Sequence, residues 1–495
     1  MSELFPKLND ENNDVALVEN GTQTTYRELN KKIDEFAKGL LGDRSDLHEE
    51  RVAFYIPASC DYVTTMHGIW RAGGIAIPLN VASAVNELEH YLTSAKVTKM
   101  IACGEYKVSL NELCSALGIE LIDVEGVLNK NKDQSLPTID PARKAMMLFT
   151  SGTTNKPKGV VSSHSIINSQ ITTLAEAWEW TSADVIPLFL PLHHIHGIVN
   201  VLSCGLWAGA TVDLYKSFDM PKISASVAAG KYNLFMAVPT IYVKLIKYFE
   251  SLPEAEAEKI CHGFSNMRLN ISGSAACPVK LFNQWNNLTS QVLLERYGMT
   301  EIGMGISNPY QGERRAGHVG QALPGVTVGL FNEKNEPITE QNMPGEIRVK
   351  GANVFLEYWD NPQATKESFV EGWFCTGDVA VIDKGYYRIM GRSSIDIIKS
   401  GGYKLSALEI EGTLLTHEKI EEVAVIGAPD ETWGEAVTAF VVLKPGAKLN
   451  QEGLKLWCDG RMSAYKIPKR LKLLDSLPRN AMGKVTKSDL KKLVQ

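Results

Sequence analysis

Thr150–Gly159 reads TSGTTNKPKG, with hydroxyls and glycines first and then Lys156 and Lys158 on either side of Pro157. Consecutive backbone N–H groups in such a loop converge on one anion, and hydroxyls and ammonium groups strengthen the hold. The loop follows MMLF, which is strand-like, and precedes SIINSQITTLAEAWEW, which has helical spacing. A phosphate cradle between a strand and a helix is therefore expected here. Gly152 and Gly159 are separated by six residues, and no Lys-Ser or Lys-Thr pair follows. That spacing departs from the P-loop pattern and argues against a P-loop kinase or GTPase. Asn155 stands where a tight turn would favour glycine, although asparagine also tolerates the left-handed backbone region. The simpler alternative is an ordinary exposed turn.

Outward from this loop, two periods alternate. TYRELNKKIDEFAKGLL places Leu29, Ile33, Phe36 and Leu40 at helical spacing, and RVAFYIP follows as a short β-rich run. YVTTMHGIWRAGGIAIPL reads as helix, turn and strand, while KMIAC, NLFMAVP and MRLNISG read as strands. Helices alternating with short apolar strands predict parallel sheets covered by helices. From about Ala322 the texture changes to PGVTVGLFNE, GEIRVKG, WFCTGDVAVID and GYYRIMGR, short strands with Gly, Asp and Asn turns that predict a small antiparallel barrel or meander. After Gly391-Arg392 a helix and strands (ALEIEGTLLTHEKI, EEVAVIGAP, AVTAFVVLKPG) suggest a separate α+β unit of roughly one hundred residues. The expected architecture is α/β. Residues 1–392 form a large N-terminal domain of helix-covered parallel sheets plus a small β-barrel, and residues 393–495 a small α+β C-terminal domain.

A chain of 495 residues is too long for a single core, so more than one domain is expected. Its 44% hydrophobic and 22% charged residues place it in the ordinary globular range and argue against disorder. A formal net charge of −6 gives no general drive toward nucleic acid or anionic membranes, so any anion must be held by a local site. The eight cysteines are scattered with no CxxC pair, which suits a reducing compartment. The acidic start MSELFPKLNDENND has neither a secretory nor a transit-peptide character, and no apolar run is long enough to span a bilayer. These features lead us to expect a cytoplasmic enzyme acting on small molecules.

Further stretches bear on the reaction. LLERYGMTE (Leu293–Glu301) sets a ring, a hydroxyl and a carboxylate in one short run, and FCTGD (Phe374–Asp378) ends in a carboxylate. GRSSIDIIKSGGYK (Gly391–Lys404) lies at the expected domain boundary, and PRNAMGKVTK (Pro478–Lys487) lies near the C-terminus. Together with TSGTTNKPKG, in this order, they resemble the acyl-adenylate-forming enzymes over essentially the whole chain. The resemblance implies that Thr150, Ser151, Gly152, Thr153, Thr154, Asn155, Lys156, Pro157, Lys158 and Gly159 wrap the β- and γ-phosphates of ATP. It implies that Tyr297 lies against adenine, Thr300 meets the α-phosphate, and Glu301 holds Mg²⁺, a hard cation that takes oxygen ligands. Asp378 would accept from the ribose hydroxyls with Arg392 beside it, and Lys484 would bridge the carboxylate and α-phosphate. Its positive charge is wanted where negative charge gathers. The same resemblance implies a mobile C-terminal domain turning on a hinge after Arg392. One residue more than the family's commoner spacing separates Arg392 from Gly401-Gly402, which leaves Ser394 and Ile395 as alternative hinges.

The acid to be activated is addressed by LPLHHIHG (Leu190–Gly197) and by Arg296. His194 aligns with a histidine of the acyl-site wall in relatives, His196 is an additional imidazole, and His193 reads as a packed ring. Ser274, in ISGSAACP, joins the candidate substrate residues. In relatives that take fatty or aryl acids the residue before YGMTE is small or neutral, whereas here it is Arg296. A buried guanidinium needs a partner. That partner is either an internal carboxylate such as Glu295 or the substrate's second carboxylate, which arginine grips bidentately. Strand alternation disfavours Glu295. Arg296, LPLHHIHG, FMAVPTIY, GYKLSALEIE and PRNAMGKV are similar to the malonyl-CoA synthetases. That similarity implies malonate, ATP and coenzyme A as substrates. A CoA ligase for methylmalonate, oxalate or a short monocarboxylate is the alternative, and a nucleotide-binding pseudoenzyme is a more distant one.

Overall fold

The computed structural model describes residues 4–129, 135–150, 157–400, 403–479 and 485–494. A seven-stranded sheet runs, edge to edge, through Glu357–Tyr358, Lys158–Ser163, Lys144–Thr150, Ile75–Pro78, Arg51–Tyr55, Lys99–Ala102 and Glu120–Asp123. From Lys144–Thr150 onward the neighbours are parallel, and Lys158–Ser163 and Glu357–Tyr358 are added antiparallel. The expected strand, loop and helix around Thr150–Gly159 is corrected here. The chain returns first as the strand Lys158–Ser163, pairing Thr150 with Lys158, and only then enters the helix His164–Ala177. The physical reason lies in Val160 and Val161, a buried β-branched pair that favours a strand. Ser163 then caps the helix, its hydroxyl accepting from the Ile166 N–H.

A second sheet carries Leu234–Ala237, Leu269–Ser272, Leu294–Met299, Gly303–Ser307 and Gln321–Ala322, in that order. The first three strands are parallel and the remainder antiparallel. Helices Pro239–Ser251 and Val279–Thr289 supply Tyr242 and Trp285, whose rings pack edge to face at 4.7 Å. The Tyr242 hydroxyl donates to the Ile271 carbonyl and the Trp285 N–H to the Asn270 side chain, so both buried polar tips are satisfied on this sheet. Aromatic pairing of this kind is worth roughly 1 kcal/mol beyond area burial and leaves the sheet little freedom.

Beyond Ala322 the expected antiparallel sheet is found, with main strands Val326–Phe331, Gly345–Gly351, Trp373–Asp383 and Tyr386–Arg392. After Arg392 the strands Ile397–Ser400, Tyr403–Ser406, Ile420–Asp430, Gly434–Leu443 and Arg470–Leu473 form a further sheet with its own apolar core. Thus the mixed α/β architecture anticipated from periodicity is present. No helix among the described residues is long and apolar enough to cross a membrane.

Candidate active site

The strand Leu294–Met299 and the turn after it carry Arg296, Tyr297, Thr300 and Glu301. Strand alternation sends Glu295 and Arg296 to opposite faces. Both are buried. Glu295 accepts from the Gly317 N–H at 3.2 Å, and burial pushes its carboxyl up to about 8. Glu295 is therefore not the partner of Arg296, which removes the internal salt bridge with that residue from the alternatives.

Arg296 instead points toward the loop after Leu269–Ser272. Among the described residues its one hydrogen bond is a long contact of 3.5 Å from Nη2 to the Ser274 hydroxyl, and its Nε has no partner there. No carboxylate pairs with it among the described residues. Burial pushes its guanidinium down to about 9, still charged at neutral pH. The close approach of this side chain requires Gly273, where an added Cβ would lie 2.5 Å from the guanidinium carbon. Ser274 follows at φ +67°, an uncommon non-glycine left-handed position of the kind found at ligand sites.

His196 completes the group. Its Nδ1 lies 3.1 Å from the Ser274 hydroxyl, while its Nε2 is buried without a partner among the described residues. Burial, with the Arg296 charge next, holds its pKa well below the ordinary imidazole value, so it is neutral. His196 opens an eight-residue π-helix, His196–Ser203, a rare element that sequence periodicity did not announce and that often marks functional positions. His194 is half-buried, its ring 4.3 Å from that of His193. Burial lowers His193 to about 3, in keeping with a packed neutral ring.

At the other end of the strand, the Tyr297 hydroxyl donates to Asp378 at 2.6 Å. Asp378 sits opposite Arg392 in the register of the antiparallel sheet. Burial raises both the Tyr297 and the Asp378 pKa. Gly298 is required because a Cβ there would fall 2.0 Å from the Gly303 carbonyl oxygen, where the chain turns back. Thr300 and Glu301 occupy that turn, Thr300 half-buried and Glu301 buried. Burial raises the Glu301 pKa, and one of its oxygens accepts from the Tyr358 hydroxyl at 2.9 Å. No cationic side chain forms a salt bridge with Glu301 among the described residues. A buried carboxylate in that position suits Mg²⁺, which characteristically takes one or two carboxylates and completes its shell with phosphate oxygens and water.

Of the phosphate loop, Thr150 ends its strand, Pro157 precedes the next and Lys158 and Gly159 begin it, whereas Ser151 to Lys156 lie outside the described residues, as does Lys484. The Pro157 carbonyl lies 3.1 Å from the His90 ring, and Lys158 sits 4.9 Å over the Tyr358 ring. After Arg392, its N–H donates to Asp396 at 3.0 Å, and the buried Lys487 ammonium bridges Asp396 at 2.6 Å and Glu411 at 2.7 Å. Tyr358, Gly273, Asp396 and Lys487 were not singled out from the sequence. The aromatic run at Tyr358 and the lysine soon after Lys484 were the available signals.

This arrangement agrees with what the chain resembles. The model of the AMP-binding enzyme family matches residues 6–359, and that of the AMP-binding enzyme C-terminal domain matches residues 409–484. The mouse protein described as malonate–CoA ligase ACSF3, mitochondrial, is 40% identical, covering 97% of this chain and 88% of its own length. The malonate–CoA ligase of Arabidopsis thaliana is 37% identical, covering 97% and 86%. The crystal structure of ATP-bound MatB from Rhodopseudomonas palustris superposes with a TM-score of 0.90 at 33% identity, covering 99% of this chain and 98% of that one. The family match over residues 6–359 and the full-length likeness to these ligases, on a fold that carries the site described above, place the chain in the AMP-binding enzyme family.

Proposed function

We propose that the protein is an AMP-forming malonate–CoA ligase, converting malonate, ATP and coenzyme A to malonyl-CoA, AMP and pyrophosphate. The observation that carries the choice of acid is Arg296, a buried guanidinium without a carboxylate partner among the described residues, facing Ser274 and His196. An uncompensated buried charge costs several kcal/mol, on the order of what an ion pair with a bound carboxylate would recover. Malonate's distal carboxylate fills that role, with the Ser274 hydroxyl and the neutral His196 available as hydrogen-bond partners and His194 at the wall of the same pocket. Its other carboxylate is left to react.

In the first step a carboxylate oxygen attacks the α-phosphorus and pyrophosphate leaves, giving malonyl-AMP. Thr150–Gly159 cradle the departing phosphates, Tyr297 and Asp378 with Arg392 hold the adenosine, and Thr300 meets the α-phosphate. Glu301 would hold Mg²⁺, which supplies charge neutralisation to the phosphates. Lys484 supports the attacking carboxylate and the α-phosphate. In the second step the coenzyme A sulfur attacks the acyl carbon and AMP leaves with the electron pair of the broken bond. We assign residues 1–392 to the adenylating body and 393–495 to a mobile lid that brings Lys484 to the first step and withdraws it for the second. The eight cysteines are free, as a reducing compartment would leave them, and the cytoplasm is the compartment we propose.

The test is a panel of short acids assayed for pyrophosphate release. Malonate should exceed acetate, butyrate and oxalate in kcat/KM, with thioester appearing only on addition of coenzyme A. A preference for a monocarboxylate would move the assignment to another short-acid ligase. Nucleotide binding without pyrophosphate release from any acid would mark a pseudoenzyme.

A further inference from the structure

Five consecutive residues, Phe355–Trp359, tie the phosphate loop to the turn that carries Glu301. On one side the Phe355 N–H donates to the Glu301 carbonyl at 2.8 Å. On the other, the Leu356 N–H donates to Val161 and the Trp359 N–H to Gly159, both on the strand leaving the phosphate loop. Tyr358 makes both connections with one side chain. Its hydroxyl donates to Glu301 at 2.9 Å, and its ring lies 4.9 Å beneath the Lys158 ammonium. Tyr358 is 9% exposed, its ring wedged against Phe355 at 4.8 Å and its backbone N–H anchored on the Thr365 hydroxyl.

From this geometry we propose that Tyr358 is a positioning residue for adenylation, orienting the Glu301 carboxylate toward the metal while its ring seats Lys158 on the phosphates. The inference rests on the assignment of Glu301 as the metal carboxylate made above. A hydrogen bond to one carboxylate oxygen fixes the plane of the group and directs the other oxygen toward a cation, and the loss of such a supporting bond typically weakens metal binding or activity 10–100-fold. The cation held over the ring face couples the loop to the same side chain. Because the hydroxyl and the ring act on different partners, they separate by substitution.

Tyr358→Phe removes the hydroxyl alone, and Tyr358→Leu removes the ring as well. The measurement is Mn²⁺ affinity by electron paramagnetic resonance, with full-length enzyme and a non-hydrolysable ATP analogue, beside Glu301→Gln as a control. Tyr358→Phe should weaken Mn²⁺ by roughly 10-fold and slow pyrophosphate release. It should leave the rate of thioester formation from supplied malonyl-AMP, and the melting temperature, near wild type. Tyr358→Leu should in addition raise the KM for ATP. If Glu301→Gln weakens Mn²⁺ but Tyr358→Phe does not, Tyr358 is a packing residue and the inference is wrong. If neither weakens it, Glu301 is not the metal carboxylate, and both assignments fall. Equal losses in both half-reactions with a lowered melting temperature would show a structural role and likewise overturn the inference.

Discussion

Arg296 and Glu301 lie five positions apart at the two ends of one strand-and-turn, and their predicaments mirror each other. Among the described residues, the buried cation at the acyl end forms no salt bridge with an anion, and the buried carboxylate at the phosphate end forms none with a cation. Other charges in the interior are matched, among them the buried Asp184 with Arg268 at 2.6 Å, and Lys487 with Asp396 and Glu411. An uncompensated charge inside a folded protein is costly, and a stable fold has no reason of its own to keep one. On the function proposed above, two charges of opposite sign left unmatched among the described residues answer to ligands of opposite sign: a dicarboxylate at one end and a metal-bound phosphate chain at the other.

The comparison breaks most severely at the phosphate end. Glu301→Gln keeps the shape and the Tyr358 contact but removes the charge, so pyrophosphate release should fall roughly 100-fold or more for every acid, malonate and butyrate alike. Selective loss of malonate alone would place Glu301 at the wrong end. The acyl end should respond to pH on its own. As pH rises through about 9 the Arg296 guanidinium in the free enzyme loses its charge, so kcat/KM for malonate should decline there while that for butyrate does not decline with it. Between about pH 7 and 8 the preference should stay flat, because His196 is held neutral well above its lowered pKa. A preference that titrates in that interval would point to the Glu295 carboxyl, which burial pushes up to about 8, or to a charged His196, and only the latter would be abolished in His196→Ala. His196→Ala, which strips one hydrogen-bond partner from the pocket, should raise the KM for malonate about 10-fold and leave ATP affinity unchanged. The smallest effect is expected in the loop. Asn155→Gly should keep activity, since the two residues differ by about 1 kcal/mol or less in the left-handed region. Asn155→Val should slow adenylation, and an unaffected Val variant would show that the position is not left-handed.

How far the sequence carried depended on whether the signal was local. The helices and strands followed apolar periodicity, and Arg296 could be set apart from Glu295 by strand alternation alone. The strand after the phosphate loop is hard to see in the sequence because its valine pair is short and set between Gly159 and Ser162, with a longer helical run just beyond it. Gly273 could not be recognised either, because its need is set by a guanidinium from another strand. Tyr358 is separated from Glu301 by 57 positions, and the loop lysine over its ring lies 200 positions earlier. Pairings of that kind are made by sheet register, which no window of sequence contains. The π-helix at His196 is a matter of hydrogen-bond geometry that the ordinary helical pattern of HGIVNVLS conceals.

The central claim is that Arg296 is kept charged and buried for the second carboxylate of the substrate. The most direct measurement is the ratio of kcat/KM for malonate to that for butyrate in Arg296→Met. Replacing an unmatched buried cation with an apolar side chain of similar length should not destabilise the fold, so a change in the ratio reports on recognition. The account predicts that the ratio falls by at least about 100-fold, through loss of malonate with butyrate maintained or improved. A variant that still prefers malonate as the wild type does would contradict it.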